Sequence, residues 1–427
     1  MEGRFVETTG WKTPLFELNY DERELRAAME VIRSGWITMG ERTQSFERAF
    51  AEFLGQDALC TATSSGTAAL HMALLAAGVG PGDEVIIPAL TFVADINVVQ
   101  IVGALPVVVD CVSHDDWNIS PEGIAAALTP RTKAVLIVHY AGYACDMDAI
   151  RVAMQAASGG RLVYLIEDCA HAPGARYRGR ACGTMGDIGC FSFFTNKNLS
   201  VGEGGMFVTR SAQLHEKGRH LRSHGMTTLT LDRHLGRAIS YDVIRPGLNY
   251  RMDEIRAAMG LVQLEKLPEA NRRRGELVRR YHELLERVPR VHLPFRNHAL
   301  GEPSYHIFPL LLDETVDRMG IIAGLKHQGI QSSIHYPPFA QFAAYRESGL
   351  SDTPVAWDVS KRELTLPLFP TMSFGQVEFV CSTLTELLAR PIPPQPAAER
   401  HLPISHLTGE KKWTNACPSS AETSRSS

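Results

Sequence analysis

The chain has little excess charge of either sign: 43 basic and 47 acidic residues leave a formal net charge of −4 over 427 residues. Proteins that hold nucleic acid or an anionic membrane surface carry a basic surplus, so neither partner is expected. An uninterrupted apolar span is also missing. The most apolar stretch, Val85 to Val109, is broken by Pro88, Asp95, Asn97, Gln100 and Pro106, which reads as a buried strand-helix-strand passage and excludes a membrane helix. The opening residues Met1-Glu2-Gly3-Arg4 are mixed polar and show no charged-then-apolar leader, so a cytoplasmic protein is expected. Eight cysteines stand at 60, 111, 145, 169, 182, 190, 381 and 417, with no pair at the short spacing of zinc sites or redox dithiols. They read as reduced, buried small hydrophobes. Cys169 adjoins Asp168, but neighbouring strand residues point to opposite faces.

These absences leave small-molecule chemistry. With 44% hydrophobic residues the chain can bury a large core, and its length exceeds what one core organises. We expect an N-terminal arm (1–16), a large domain (17–285) and a smaller C-terminal α/β domain (286–390). A tail at 391–427, with six prolines, many serines and few large apolar residues, has the composition of a disordered segment.

From Ala58 onward, short β-branched runs alternate with longer amphipathic segments, the pattern of a large, mostly parallel sheet flanked by helices. Strands are expected at 58–62, 84–87, 106–109, 133–138 and 162–166, with helices at 67–77, 93–102 and 147–157 and a short one after Pro121. A charged, Leu-studded stretch from Asp253 to about Val288 predicts a long helix interrupted near Pro268. The smaller domain would hold strands at 305–312, 332–335 and 364–368.

Chemistry enters with Lys197. It follows the apolar run Phe191-Ser192-Phe193-Phe194 and precedes the turn Gly202-Glu203-Gly204-Gly205, and Asp168 ends a strand-like run 29 positions upstream. A lysine that forms a Schiff base must stay partly neutral, which a desolvated setting favours. A carboxylate that keeps a pyridine nitrogen protonated makes pyridoxal phosphate an effective electron sink. The pair therefore points to a pyridoxal-phosphate enzyme. Ser64-Ser65-Gly66-Thr67 lies between a strand and an Ala/Leu-rich helix; alone it would cap that helix, and beside Asp168 and Lys197 it reads as a phosphate site at a helix N-terminus. Ser192 could add a hydroxyl to the same phosphate or simply occupy a turn. Phe92 could stack on a planar cofactor or belong to the core. His171 could bond the cofactor's hydroxyl or ring region, or be structural. His220 and His224 have metal-ligand spacing on a predicted helix, but with Lys217, Arg219 and Arg222 interleaved a solvated basic face is expected instead. The glycine turn at 202–205 is read as a close backbone approach.

With these residues in place, the chain resembles the DegT/DnrJ/StrS family of sugar aminotransferases, pyridoxal-phosphate enzymes of fold type I. The similarity runs in order through Ser34-Gly35-Trp36-Ile37-Thr38, Ser65-Gly66-Thr67-Ala68-Ala69-Leu70, Pro81-Gly82-Asp83-Glu84-Val85, Val138-His139-Tyr140, Glu167-Asp168-Cys169-Ala170-His171, the Lys197 segment, Asn249-Tyr250-Arg251-Met252-Asp253 and His335-Tyr336-Pro337 to Leu366-Pro367-Leu368. It covers about residues 12 to 390. The resemblance implies Lys197 as the cofactor lysine and proton shuttle, with Asp168 on the ring nitrogen. It further implies Gly66, Thr67 and Ser192 at the phosphate, Phe92 against the ring, His171 near its hydroxyl, and Asn249 reaching the phosphate of the neighbouring subunit's cofactor. A homodimer with shared active sites follows from the same resemblance. Family members often have glutamine where His171 stands, although histidine also occurs. Relatives that act as sugar dehydratases have histidine in place of the lysine, and Lys197 argues against that branch. The implied reaction moves an amino group from L-glutamate or L-glutamine to a keto-sugar, with a nucleotide-linked keto-hexose as the leading acceptor. A keto-cyclitol or other non-nucleotide ketone is the alternative. A cofactor-binding regulatory protein without turnover is the rival from another class, disfavoured by the intact Lys197, Asp168 and Ser65-Gly66-Thr67. Substrate contacts are expected to vary in Met226 to Arg245.

Overall fold

The computed structural model describes residues 10–55, 57–228, 236, 239–345 and 353–390. The predicted tail at 391–427, the first residues of the predicted arm, and part of the expected substrate segment (229–235 and 237–238) lie outside the described residues.

The strands in chain order are β1 (Leu59–Thr63), β2 (Glu84–Pro88), β3 (Leu105–Val109), β4 (Thr132–Val138), β5 (Tyr164–Asp168), β6 (Arg176–Tyr177) and β7 (Arg180–Ala181). They continue with β8 (Ile188–Ser192), β9 (Gly205–Thr209), β10 (Val291–His292), β11 (Gly301–Glu302), β12 (Phe308–Leu312) and β13 (Glu363–Leu366). Seven of them form one sheet in the order β1-β9-β8-β5-β4-β2-β3. Only β9 runs against the rest, pairing antiparallel with both β1 and β8. The expected large, mostly parallel sheet flanked by helices is therefore present.

Alternation along the strands builds two cores. Ile86, Val135, Ile137 and Leu165 face one side, with Phe46, Phe50, Met147 and Leu264 from covering helices. Val85, Ile87, Leu136 and Ile166 face the other, with Leu70, Met72, Ile96 and Val99. Because both faces are covered, the strands read as continuous apolar runs.

The helix Glu254–Leu285 is unbroken through Pro268, contrary to the expected interruption. A proline removes one backbone donor and costs about 3 kcal/mol in a helix interior, but Leu264, Leu267 and Ala270 are buried on both sides of it and hold the helix on course. Its last turns, with Leu277, Tyr281 and Leu285, enter another core formed with β12, β13 and the helices Arg318–His327 and Phe374–Ala389. Here β10, β12 and β13 form a three-stranded sheet. The expected strand at 332–335 is only a bridge, Ser333 to Thr365. Lys12 and Thr13 both donate to the Gly329 carbonyl at 2.9 and 3.1 Å, and Gln331 returns a bond to Thr13 at 2.9 Å. Among the described residues, no helix is long and apolar enough to cross a membrane.

Candidate active site

The carboxyl ends of parallel strands are where ligands of α/β sheets gather. Asp168 ends β5, Ser192 ends β8, Ser64 to Gly66 follow β1, and Phe92 follows β2. Asp168 is 6% exposed and accepts the Ala170 amide at 2.8 Å. Burial raises its pKa; the Ala170 amide and the charge of Lys197 offset this only in part. Lys197 is half-buried as a residue, but its amine end is enclosed. Desolvation lowers its pKa to about 8, against the pull of Asp168. The shift enlarges the neutral fraction near neutral pH, which a nucleophilic amine requires.

Ser65 caps the helix Gly66–Ala76 by accepting the Ala68 amide at 3.1 Å. The other first-turn amides have no partner within the helix and add the positive end of its dipole. Two glycines allow the strands to crowd this turn. A Cβ on Gly66 would lie 2.7 Å from the Ser192 Cβ, and one on Gly205 would lie 2.4 Å from the Ser65 carbonyl oxygen. The close approach expected of the glycine turn is thus found at Gly205. Ser64, Gly66, Thr67 and Ser192 together make a small, anion-suited cradle. Tyr250 accepts the Ser64 amide at 2.8 Å, bringing the strip that bears Asn249 beside it. Asn249 itself is exposed and bridged to Ser223.

Phe92 is 53% exposed, and its ring centroid lies 5.6 Å from that of Tyr336. His171 is buried; its Nδ1 accepts the Ala141 amide at 3.2 Å, which places the proton on Nε2, 2.9 Å from the Tyr336 hydroxyl. Burial, with the nearby charge of Lys197, lowers the His171 pKa well below the usual imidazole value, so the ring is neutral.

Three further residues of this cleft have no local sequence signal that specifies a role. His306 is buried and packs against His171, with ring centroids 4.4 Å apart and planes tilted by 39°. Its Nδ1 lies 2.9 Å from the Asn198 Oδ1. Because Asn198 Nδ2 donates to Asn271 and Ser304, its oxygen is the acceptor, which leaves His306 Nε2 unprotonated at 3.5 Å from the Lys197 amine. Tyr336 joins Phe92 to His171. Asp95, fully buried, is a close carboxyl neighbour of Asp168, and each acts on the other's charge. The available signals were polar residues in apolar surroundings: Asp95 in Val93–Ile101 and His306 just before β12.

On the other face of the sheet, His139, Glu167 and Cys169 come within 4.8 Å of one another, all buried. Glu167 already accepts His139 Nε2 at 2.9 Å and the amides of Gly183 and Met185 at 2.8 and 2.7 Å, while His139 Nδ1 accepts the Cys145 amide at 3.1 Å. The cluster's nitrogen and oxygen ligand atoms are occupied, so it reads as structural. The seven described cysteines are free and buried, as expected. The paired histidines have no shared helix face: His220 is on Ala212–Arg222, but His224 lies beyond it at φ +58°. Nor is Arg222 part of a solvated face; it is buried and paired with Glu47, because its guanidinium reaches inward to the Ala62 carbonyl at the edge of the sheet.

A family model for the DegT/DnrJ/EryC1/StrS aminotransferases matches residues 19–385. Among solved structures, the aminotransferase TlmJ from Streptoalloteichus hindustanus is 35% identical, with a TM-score of 0.80 over 89% of this chain and 98% of that one. The putative sugar aminotransferase Spr1654 from Streptococcus pneumoniae, in its PMP form, is 30% identical, with a TM-score of 0.81 over 88% of this chain and 98% of that one. PseC from Helicobacter pylori, an aminotransferase involved in the biosynthesis of pseudoaminic acid, is 27% identical with a TM-score of 0.80, over 88% and 98%.

Proposed function

Given that this chain belongs to the DegT/DnrJ/EryC1/StrS aminotransferase family and is a pyridoxal-phosphate-dependent aminotransferase, we propose that it aminates a keto-sugar. A nucleotide-linked keto-hexose is the acceptor and L-glutamate or L-glutamine the donor. The observation that carries the reading is the enclosed Lys197 amine, with its pKa lowered to about 8, in the same cleft as the buried Asp168. That TlmJ is an aminotransferase, Spr1654 a putative sugar aminotransferase and PseC an aminotransferase involved in the biosynthesis of pseudoaminic acid supports the choice of acceptor.

When bound, pyridoxal phosphate supplies an electron sink that stabilises negative charge at the substrate carbon. In this reading, Gly66, Thr67 and Ser192 bind its phosphate, Phe92 covers one ring face and His171 stands by the ring hydroxyl. Asp168 holds the proton of the ring nitrogen. Lys197 Nζ takes the proton that leaves the donor's carbon and returns it one position along, then does the reverse on the acceptor. His306 Nε2, an acceptor, steers the amine between these positions. Asn249, exposed beside Ser64, serves the phosphate in the other subunit of a homodimer with shared active sites. The enzyme acts in the cytoplasm.

The test is the visible absorption spectrum of the purified protein loaded with pyridoxal phosphate. Titration with L-glutamate and then L-glutamine should convert the yellow form to the colourless amine form with at least one of them. Nucleotide-linked keto-hexoses and keto-inositols would then be compared for restoring the yellow form. Restoration by the keto-inositols alone would overturn the nucleotide-sugar acceptor, and no conversion with either donor would overturn the donor assignment.

A further inference from the structure

The helix Val93–Ile101 is apolar except for Asp95 in its first turn and the neighbouring Asn97 and Gln100. Asp95 is 0% exposed. A carboxylate so placed costs several kcal/mol unless it is paired or neutral. Its Oδ2 accepts the Thr91 hydroxyl at 2.5 Å, and its Oδ1 is buried without a donor. No cation faces it among the described residues. The carboxyl of Asp168, at the end of β5, is near enough for each group to act on the other's charge, and Cys190 on β8 and the Tyr336 phenol also lie within range of Asp95.

Two carboxyls that share a dry site do not both ionise, so the pair retains one proton. The surroundings decide where it sits. Asp168 has the Ala170 amide at 2.8 Å and the charge of Lys197 to stabilise an ionised form. Asp95 has one hydroxyl. We propose that Asp95 is a neutral carboxylic acid whose proton is donated to Asp168, holding Asp168 as the ionised, oriented member of the pair. Asp95 is then a positioning residue. The donated bond also makes Asp168 a weaker base, so a proton shared with a ring nitrogen stays on the nitrogen. This last step rests on the placement of Asp168 at the ring nitrogen proposed above; the carboxyl pairing does not.

The experiment uses the full-length protein and two readouts. In the cofactor-free protein, the infrared difference spectrum of wild type against Asp95→Asn at neutral pH should show the C=O stretch of a neutral, buried carboxylic acid. Its absence would overturn the proposal. The second readout is the dissociation constant for pyridoxal phosphate. Asn can donate to Asp168 and accept from Thr91 without titrating, so D95N should keep the affinity within about threefold, whereas D95V should weaken it by about 10- to 100-fold, the worth of a hydrogen bond to a charged group. Equal losses in D95N and D95V would show that an ionised Asp95 is required and would also overturn the proposal. If D95V does not fold, the infrared band and D95N still decide. Asp168→Asn separates the two assignments: a retained infrared band with unchanged cofactor affinity in D168N would uphold the pairing and remove Asp168 from the ring nitrogen.

Discussion

Glu167 and Asp168 are consecutive residues of one strand, both carboxyls, both buried, and they meet opposite surroundings. Glu167 points to the face where His139 and the amides of Gly183, Met185 and Gly186 meet it. Burial works to raise its pKa, but the bond from His139 and those backbone amides outweigh it, and the carboxyl lies below its usual value. Asp168 points to the cleft and has a single amide donor, so burial prevails and its pKa is raised. A satisfied buried charge locks a fold; an under-satisfied one at the end of a parallel sheet suits the ligand-binding role proposed for Asp168. The triad around Glu167 has the residue types of a metal centre, but its nitrogen and oxygen atoms are already spoken for.

Substitutions test this contrast. The largest effect belongs to the cleft: Lys197→Ala should lower kcat by about 10²–10⁴-fold, the contribution of a positioned acid-base group, measured as steady-state transamination with the fold checked by circular dichroism. Asp168→Asn should lower kcat by about 10²–10³-fold while its unfolding free energy in urea stays within about 1 kcal/mol of wild type. Glu167→Ala should show the converse, destabilising by about 3–5 kcal/mol because His139 and several amides lose their partner. If D168N proved the more destabilising of the two, the contrast would collapse. The pH dependence sharpens it. The amine is reactive when neutral, so capture of pyridoxal phosphate by the cofactor-free protein should rise about tenfold per pH unit below about 8 and level off above it. The smallest effect should come from Cys169→Ala, within about 1 kcal/mol in stability, with no rise in Tm on adding zinc to the wild type.

Much of this was legible in the sequence because the sheet is buried on both faces. Continuous apolar runs announced strands at 84–87 and 133–138, which the structure has as Glu84–Pro88 and Thr132–Val138, and the helix start after Ser65 was legible from the Ala/Leu-rich run that follows it. Pairings between distant segments were not legible. His306 reaches Lys197 across 109 positions, and Tyr336 reaches His171 across 165; neither local spacing nor periodicity carries such information. In the sequence Asp95 shows only as an interruption of an apolar run, because its carboxyl neighbour in space comes from β5. At Pro268 local propensity predicts a break, but packing along a 32-residue helix prevails.

The pairing of Lys12 and Thr13 with Gly329 and Gln331 also bears on how the chain is made. Leu15 donates to the Gln331 side chain, a contact 316 positions apart. At the ordinary pace of synthesis the opening segment waits roughly 15–60 s on the ribosome before its partner strip emerges. During that interval its amides and carbonyls are open to any strand edge nearby. Slowing translation between these points would lengthen that exposure, and a chaperone that shields the first stretch would matter more to yield than one that acts on the finished sheet.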